Sequence, residues 1–440
     1  MNVARLFGTR ILRMPKALGW TALAGALAAM SPIASATDIT VWHALNAHNS
    51  GAFEKIVKQF NRQSKGVTVR LESFNSPEVL ENKLAGLAKS ARPNLVQLEF
   101  RRSPEPNDGH VGVKPLHALL AKHPIKDAKW FVHPENGFAR DDKGRLMAFP
   151  YMAEVPVMYY NIAAFQKAGL KPEKPSRAWS ELQAQLVDLA NRATRNCPAT
   201  SDQPVSINLE NLAAVNNQFF TSNNNGKGKG APSFAFDTVY VRHLSLMISW
   251  VRSELMVKPE FDSSATSRFA NNECSVLLSE SGNLGAFRDV RGLDFGVTGL
   301  PFYPQVTKSP GNPFVDGAAL WVTDGQSTEQ EKAVADFLAW LTQSDNAAEW
   351  YQQTGFLPLT EQAFASTGDG YYKNLGEWRN LVAVYNQKPA VTASSFKVKN
   401  YPKVRAMFHL TLQRALSGEQ SAPTALSHAS AQASKLIREK

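Results

Sequence analysis

FVDGAALWVTDGQSTEQEKAVADFLAWLTQSDNAAEWYQQTGFLPLT, residues 314–360, sets three elements in order. The apolar run over 318–322 predicts a buried strand, Gly325 a turn, and the remainder two helices. Ser327 with Gln330 makes one capping box, and Asn346 with Glu349 predicts a second. Val334, Phe337, Leu338 and Leu341 recur at helical spacing, so one face of the first helix turns inward. Gly355, following Thr354 and ahead of Pro358, predicts the stop of the second helix.

Upstream, strand and helix patterns alternate. Residues 38–43 (DITVWH) and 67–73 (VTVRLES) predict strands, and 95–100 (LVQLEF) a third. Between them lie a helix lined by Phe53, Ile56, Val57 and Phe60 and a second over 79–90. This succession predicts a parallel α/β sheet. Ligands of such sheets sit outside the carboxyl ends of the strands. The loops carrying Trp42-His43, 73–78 and 99–102 are therefore expected around one cleft. Residues 145–161 (RLMAFPYMAEVPVMYYN) predict a crossover, with a new strand over 157–160, followed by a helix, a Pro-rich loop and a helix entered at Trp179. NNNGKGKG (223–230) is polar and glycine-rich, but it follows no strand and opens no helix, so it is expected as a surface loop. The tract from 403 to 440 is expected to be helical.

Composition narrows the function. Arg5, Arg10, Arg13 and Lys16, an apolar stretch over 17–30 and Ala34-Ser35-Ala36 predict a cleaved signal peptide over residues 1–36 and export to the periplasm. The apolar stretch is short of the ~20 residues a membrane span needs. Removing residues 1–36 takes four positive charges from a net charge of +10, which leaves +6. Lys/Arg runs with interleaved aromatics are missing, so no nucleic-acid partner is expected. A mature chain of this size exceeds one core and predicts two domains. The two cysteines, Cys197 and Cys274, pair or remain as two buried thiols. HExxH, GxSxG and GxxxxGK[ST] are absent, and the histidines are dispersed without metal-ligand spacing. The expectation is a binding protein with no cofactor or metal, not an enzyme.

VWHALN (41–46), VPVMYYNIAAFQKAGL (155–170), DGAALWV (316–322), EWYQQTGFLPLT (349–360) and FKVKNYPKVRAMF (396–408) together resemble the extracellular solute-binding proteins of ABC importers, closest to the glycerol-3-phosphate-binding class. The resemblance spans essentially the mature chain. It implies a two-lobed α/β fold, each lobe a mostly parallel sheet flanked by helices, with a hinge between them. Lobe 1 is expected over 37–150 and 312–355, and lobe 2 over 151–311 and 356–440. The chain is expected to cross near 150–155, 308–314 and 355–362. A disulfide between Cys197 and Cys274, a monomeric state and ABC permease subunits as partners are implied likewise. The function implied is capture of glycerol-3-phosphate or a glycerophosphodiester such as glycerophosphocholine; an oligosaccharide or amino sugar is the alternative, and an exported enzyme or orphan sensor stands further off.

Carried over position by position, the resemblance places Trp42, His43, Glu99, Glu154, Ser281, Gly317, Phe356 and Lys397 at the ligand. Glu99 corresponds to the class's carboxylate after the third strand. Lys397 falls at the cationic phosphate partner, where Arg is usual, and offers charge without the bidentate fork. Phe356 replaces a cleft tyrosine. A small hydroxyl residue becomes Glu154, the Ser-rich turn becomes Ser279-Glu280-Ser281-Gly282, and the usual Gly-Gly becomes Asp316-Gly317. Where the class has a pair of tryptophans this chain has 203–208 (QPVSIN). Three carboxylates in place of neutral donors disfavour a dianionic phosphate unless Lys397, Arg101, Arg102 or Arg288 offsets them. A neutral polyhydroxylated ligand, or one with a cationic group, is favoured instead.

Overall fold

The computed structural model describes residues 36–101, 112–260 and 263–439. The expected signal peptide, apart from Ala36, and Arg102 lie outside them.

Two sheets form, from strands buried on one face or on both. The first, six-stranded, contains β1 (Thr37–His43), β2 (Val67–Ser73), β3 (Leu95–Glu99), β4 (Val113–Lys114), β5 (Phe149–Glu154) and β10 (Asp316–Thr323). Its order is β2-β1-β3-β10-β4, with β5 also pairing to β10. The second contains β6 (Pro156–Asn161), β7 (Ala199–Ser201), β8 (Val276–Glu280) and β9 (Phe295–Thr298) in the order β7-β8-β6-β9. Helices flank both sheets, as a two-lobed α/β fold requires. The strand directions correct the expectation of mostly parallel sheets. β1 runs parallel to β2 and β3, and β7 to β8, but β10 is antiparallel to β3, β4 and β5, and β6 to β8 and β9. Strand–helix–strand crossovers give parallel neighbours in both sheets, whereas β6 and β10, each entering from the other sheet, run antiparallel to their neighbours.

The helix Ala47–Gln63 buries Phe53, Ile56, Val57 and Phe60 against the first sheet. Across from them the helix Thr328–Leu341 buries Val334, Phe337, Leu338 and Leu341. Ser327 and Gln330 close that helix's capping box in both directions. The second expected box is corrected: the helix Ser344–Thr354 begins after Gln343, so Asn346 sits inside the first turn and donates to the Trp340 carbonyl at 2.8 Å. Gly355 ends this helix in the left-handed region with φ 88°. The helix expected over 79–90 is shorter, Pro77–Ala85, capped by the Ser76 hydroxyl and followed by a 3-10 turn, Lys89–Ala91.

A buried cluster including Trp42, Val96, Ala153, Val155, Val157, Tyr159 and Leu277 continues across the point where β5 becomes β6. Cys197 and Cys274 form a disulfide beside β7 and β8. The C-terminal tract folds as Tyr401–Leu416 and Ala422–Leu436, packed on the second sheet's side with Thr238–Arg252. No helix among the described residues is long and apolar enough to cross a membrane.

Candidate ligand site

Register brings the acidic residues together. β5 ends at Glu154 opposite Asp316, the first residue of β10, and two positions further along β10 Ala318 faces Glu99 at the end of β3. In the second sheet β8 ends at Glu280, opposite Pro156 at the start of β6. One residue, Val155, separates the two sheets at this point. Its amide and carbonyl are both held by Ser281, through Oγ at 3.3 Å and the amide at 2.8 Å. The ends of β3, β5 and β8 and the start of β10 thus share one edge, where an α/β sheet takes its ligand.

Gly317 is what lets Asp316 sit there. Its φ is +101°, and a Cβ would stand 2.3 Å from the Met152 carbonyl and 2.9 Å from Glu154 Cγ. Only glycine accepts that conformation and approach.

Hydrogen bonds reach the acids sparingly. The Gly282 amide donates to Glu154 Oε2 at 3.2 Å, and the Ser206 hydroxyl to Glu280 Oε1 at 3.1 Å. Ser279 donates to Asp202 Oδ2 at 2.8 Å and accepts from Asn283. Glu280 Oε2 is buried with no hydrogen-bond partner among the described residues. Burial, then the charges of Asp316 and Glu99, push the Glu154 carboxyl up to about 8 against the Gly282 amide. Burial and the charges of Glu154, Asp316 and Asp202 push Glu280 well above the carboxylate range. Burial raises Asp316 to about 6, opposed chiefly by Arg101. Part of Glu154 remains accessible at its surface although close neighbours enclose its carboxyl, so solvent tempers these effects.

The opposing charge comes from two buried arginines. Arg101 Nε lies 3.4 Å from Asp316 Oδ1, its Nη2 donates to the Val315 carbonyl, and its plane stands 4.0 Å over Phe396. Arg405 Nε donates to Glu210 Oε1 at 3.0 Å, and the Tyr401 hydroxyl donates to the same oxygen at 2.5 Å. Burial disfavours an ionised Glu210, yet Arg405, Arg101 and Tyr401 together hold its carboxyl below the usual range. Among the described residues Glu154, Glu280, Asp316, Glu210 and Asp202 therefore meet two buried guanidinium groups, fewer cations than acids.

Ser281, Gly317 and Glu154 meet here, and Glu99 flanks them across β10. Phe356 is buried, stacks on Trp350 and approaches so near that a Cβ on Gly282 would meet its Cε1 at 2.7 Å. Trp42 is buried beside Phe74 with Lys83 Nζ 4.6 Å above its ring. His43 is buried edge-on to Phe53, and burial holds its imidazole below the ordinary value against the pull of Glu54. Lys397 lies apart from the acids: it is exposed and pairs with Asp142 at 2.6 Å. Of the other cations weighed for these acids, Arg288 lies over the Tyr371 ring and donates to the Gln352 carbonyl.

The sequence pattern missed Glu210, Ser206, Asp202 and Arg405. Tyr401 and Arg405 stand four apart on one helix, a spacing that places both on one face and was readable. Glu210 ends a π-helical turn, Ser206–Glu210, whose geometry leaves no periodic trace.

On the other side of the crossing, helices from the two sheets touch. Asn49 Nδ2 donates to the Gly282 carbonyl at 3.0 Å, and His48 binds the Gln353 carbonyl and Asp289. A Cβ on Gly285 would stand 1.7 Å from the Gln353 carbonyl. A surface groove of about 730 Å³, lined in part by Phe60, Lys65, Lys332 and Trp340, shares no residue with the acidic site.

The profile of the bacterial extracellular solute-binding protein family matches residues 55–375. The sn-glycerol-3-phosphate-binding periplasmic protein UgpB of Yersinia pseudotuberculosis is 29% identical over 413 residues, covering 91% of this chain and 92% of its own. UgpB of Escherichia coli K12 is 28% identical over 429 residues, covering 95% and 96%. Among solved structures, UgpB from Mycobacterium tuberculosis in complex with glycerophosphocholine superposes with a TM-score of 0.73 at 17% identity, covering 92% of this chain and 99% of that one. Maltose-bound MalE3 of T. maritima superposes with a TM-score of 0.71 at 16% identity, over 91% and 100%. The two solved structures speak to the fold alone.

Proposed function

Because the chain belongs to the bacterial extracellular solute-binding protein family, we propose that it captures a glycerophosphodiester in the periplasm and delivers it to the permease of an ABC importer. The site is formed at the carboxyl edge of both sheets around Glu154, Glu280, Asp316 and Glu99, with Trp42, His43, Ser281, Gly317 and Phe356 as its walls. Capture proceeds by hinge closure of the lobe built on the first sheet against the lobe built on the second, turning near Val155 where β5 gives way to β6. Lys397, exposed and paired with Asp142, is the cation that exchanges this partner for the phosphate.

The observation that carries this reading over simple glycerol-3-phosphate is the charge balance. Five carboxylates face Arg101 and Arg405, and both arginines are already paired with Asp316 and Glu210. Raised as they are, Glu154 and Glu280 hold protons at neutral pH, so a phosphate dianion beside them finds no free counterion among the described residues, and each acid that ionises adds repulsion on the order of 1–4 kcal/mol at ~4 Å. A diester carries one negative charge, and a cationic head group compensates the acids. The second reading is an oligosaccharide or amino sugar, since the same carboxyl groups accept from sugar hydroxyls.

Thermal unfolding of the mature protein against glycerol-3-phosphate, glycerophosphocholine, glycerophosphoethanolamine, maltose and glucosamine tests it. A ligand at 100 times its Kd adds about 2.7 kcal/mol. Stabilisation by the diesters supports the proposal. A shift with glycerol-3-phosphate alone, or with sugars alone, overturns it.

A further inference from the structure

We propose that Glu280 and Glu154 form a subsite for a hydrogen-bonding ammonium group, so that the cleft prefers a ligand bearing a primary amine over its quaternary-ammonium or amine-free counterpart. The inference rests on the reading of this edge as the ligand site and names the head group that site selects.

Glu280 is 7% exposed, yet one of its two oxygens is unsatisfied. Oε1 accepts from Ser206, and Oε2, equally buried, accepts from nothing among the described residues. A buried acceptor without a donor is costly and uncommon in folded proteins. In the empty site the carboxyl keeps its own proton, with no partner for it at Oε2 among the described residues; an N–H donor from outside the chain satisfies this oxygen once that proton leaves, and the surroundings specify the donor's charge. The carboxyls of Glu154, Asp316 and Asp202 act on Glu280, so a positively charged donor gains from each of them.

The neighbours also argue for a donor rather than a bare cation. Quaternary ammonium groups carry no N–H and are held over aromatic faces. Tyr159, next to this pair, directs its hydroxyl to the Glu280 and Ser281 carbonyls at 3.0 and 3.1 Å, and Phe356 stacks on Trp350. A primary ammonium offers three donors to Glu280 Oε2 and its neighbours.

Proton release follows from the same arrangement. The groups facing the pair are Asp316, Glu99, Asp202, Tyr159 and Tyr385, the Gly282 amide and the Ser206 hydroxyl, with Arg101, Arg405 and Glu210 acting on Asp316. In the empty site burial, then mutual repulsion, keeps the proton on Glu154 and Glu280, opposed among the described residues by the Gly282 amide and the Ser206 hydroxyl. An entering ammonium displaces a proton. Affinity for the amine then rises about tenfold per pH unit until the pair has ionised.

The experiment is calorimetric titration of the purified mature protein with glycerophosphoethanolamine, glycerophosphocholine and glycerol-3-phosphate. It is run at pH 6 and pH 8 in two buffers of different ionisation enthalpy. The expected result is tighter binding of the ethanolamine diester than of the choline diester by about tenfold. About one proton is released with the ethanolamine diester, and the preference is lost in Glu280→Gln. Glu154→Gln serves as the second variant should the first fail to fold. Equal or tighter binding of the choline diester, or heats independent of the buffer, overturns the inference while leaving the diester reading intact. Failure of all three ligands overturns the diester reading; glucosamine against glucose then decides the subsite by the same preference and proton count. Stabilisation by Ca²⁺ alone that depends on Glu280 assigns the pair to a metal and overturns the inference.

Discussion

Glu154→Gln should stabilise the empty protein at alkaline pH while impairing its site. The folded Glu154 carboxyl titrates at about 8 against an ordinary value of 4.5. A group whose folded value is raised contributes stability that is complete below the unfolded value and is lost as pH rises through the folded one. The window is therefore pH 4.5 to 8, across which the folded chain holds a proton that the unfolded chain has released. At about 1.4 kcal/mol per pH unit, the loss approaches ~5 kcal/mol as an upper bound. Partial solvent access to Glu154 and sharing of the proton with Glu280 and Asp316 reduce it to about 2–4 kcal/mol. Glutamine keeps the shape and the acceptor for the Gly282 amide and removes the titration. Urea denaturation followed by tryptophan fluorescence at pH 5, 7 and 9 reads the effect. The variant should gain about 2–4 kcal/mol over the parent between pH 5 and pH 9. It should also bind a cationic ligand less tightly, as expected where a site keeps like charges together at the expense of stability. Parallel pH profiles, differing by less than about 0.5 kcal/mol, would refute the account of the acidic cluster.

Arg405→Met should cost about 3–5 kcal/mol, because it strands Glu210 as a buried charge, and Glu210→Gln on that background should recover part of the loss in the same denaturation assay. Gly317→Ala should destabilise by about 1–3 kcal/mol from backbone strain alone and displace Asp316, seen as weaker ligand affinity with the far-ultraviolet spectrum unchanged. Gly285→Val, which drives a side chain into the Gln353 carbonyl, should hold the two helical faces apart; small-angle scattering with ligand present should show a larger radius of gyration than the parent. Replacing Cys197 and Cys274 by serine should cost about 2–5 kcal/mol, measured as a lower urea midpoint, and reducing agent should have no further effect on the double variant.

Where a residue's role depends on its near neighbours, the sequence disclosed it. Phe53, Ile56, Val57 and Phe60, the Ser327–Gln330 box and the Gly355 stop are decided within a turn or two, and they stand as read. Strand direction depends on partners far along the chain, so the pattern over 318–322 predicts a strand but not its antiparallel pairing. The acidic substitutions at Glu154, Glu280 and Asp316 were legible from family resemblance, and register explains their meeting. Position in the tract points to Lys397 as a counterion, while Arg405, which shares a helix face with Tyr401, and Arg101, which stacks on Phe396, carry the buried positive charge. Asn346 misled because a good capping residue occurs one turn late; Gln343, which precedes the helix, makes no side-chain cap.

β10 enters the first sheet between β3 and β4, although it follows both far downstream in the chain. A chain emerging from its N-terminus therefore presents β3 with one edge bare until the second sheet's strands have passed. Contacts of such long sequence separation close slowly. The architecture thus delays completion of the first sheet until residues 316–323 arrive, and any chain ending before them lacks an interior strand rather than a peripheral one.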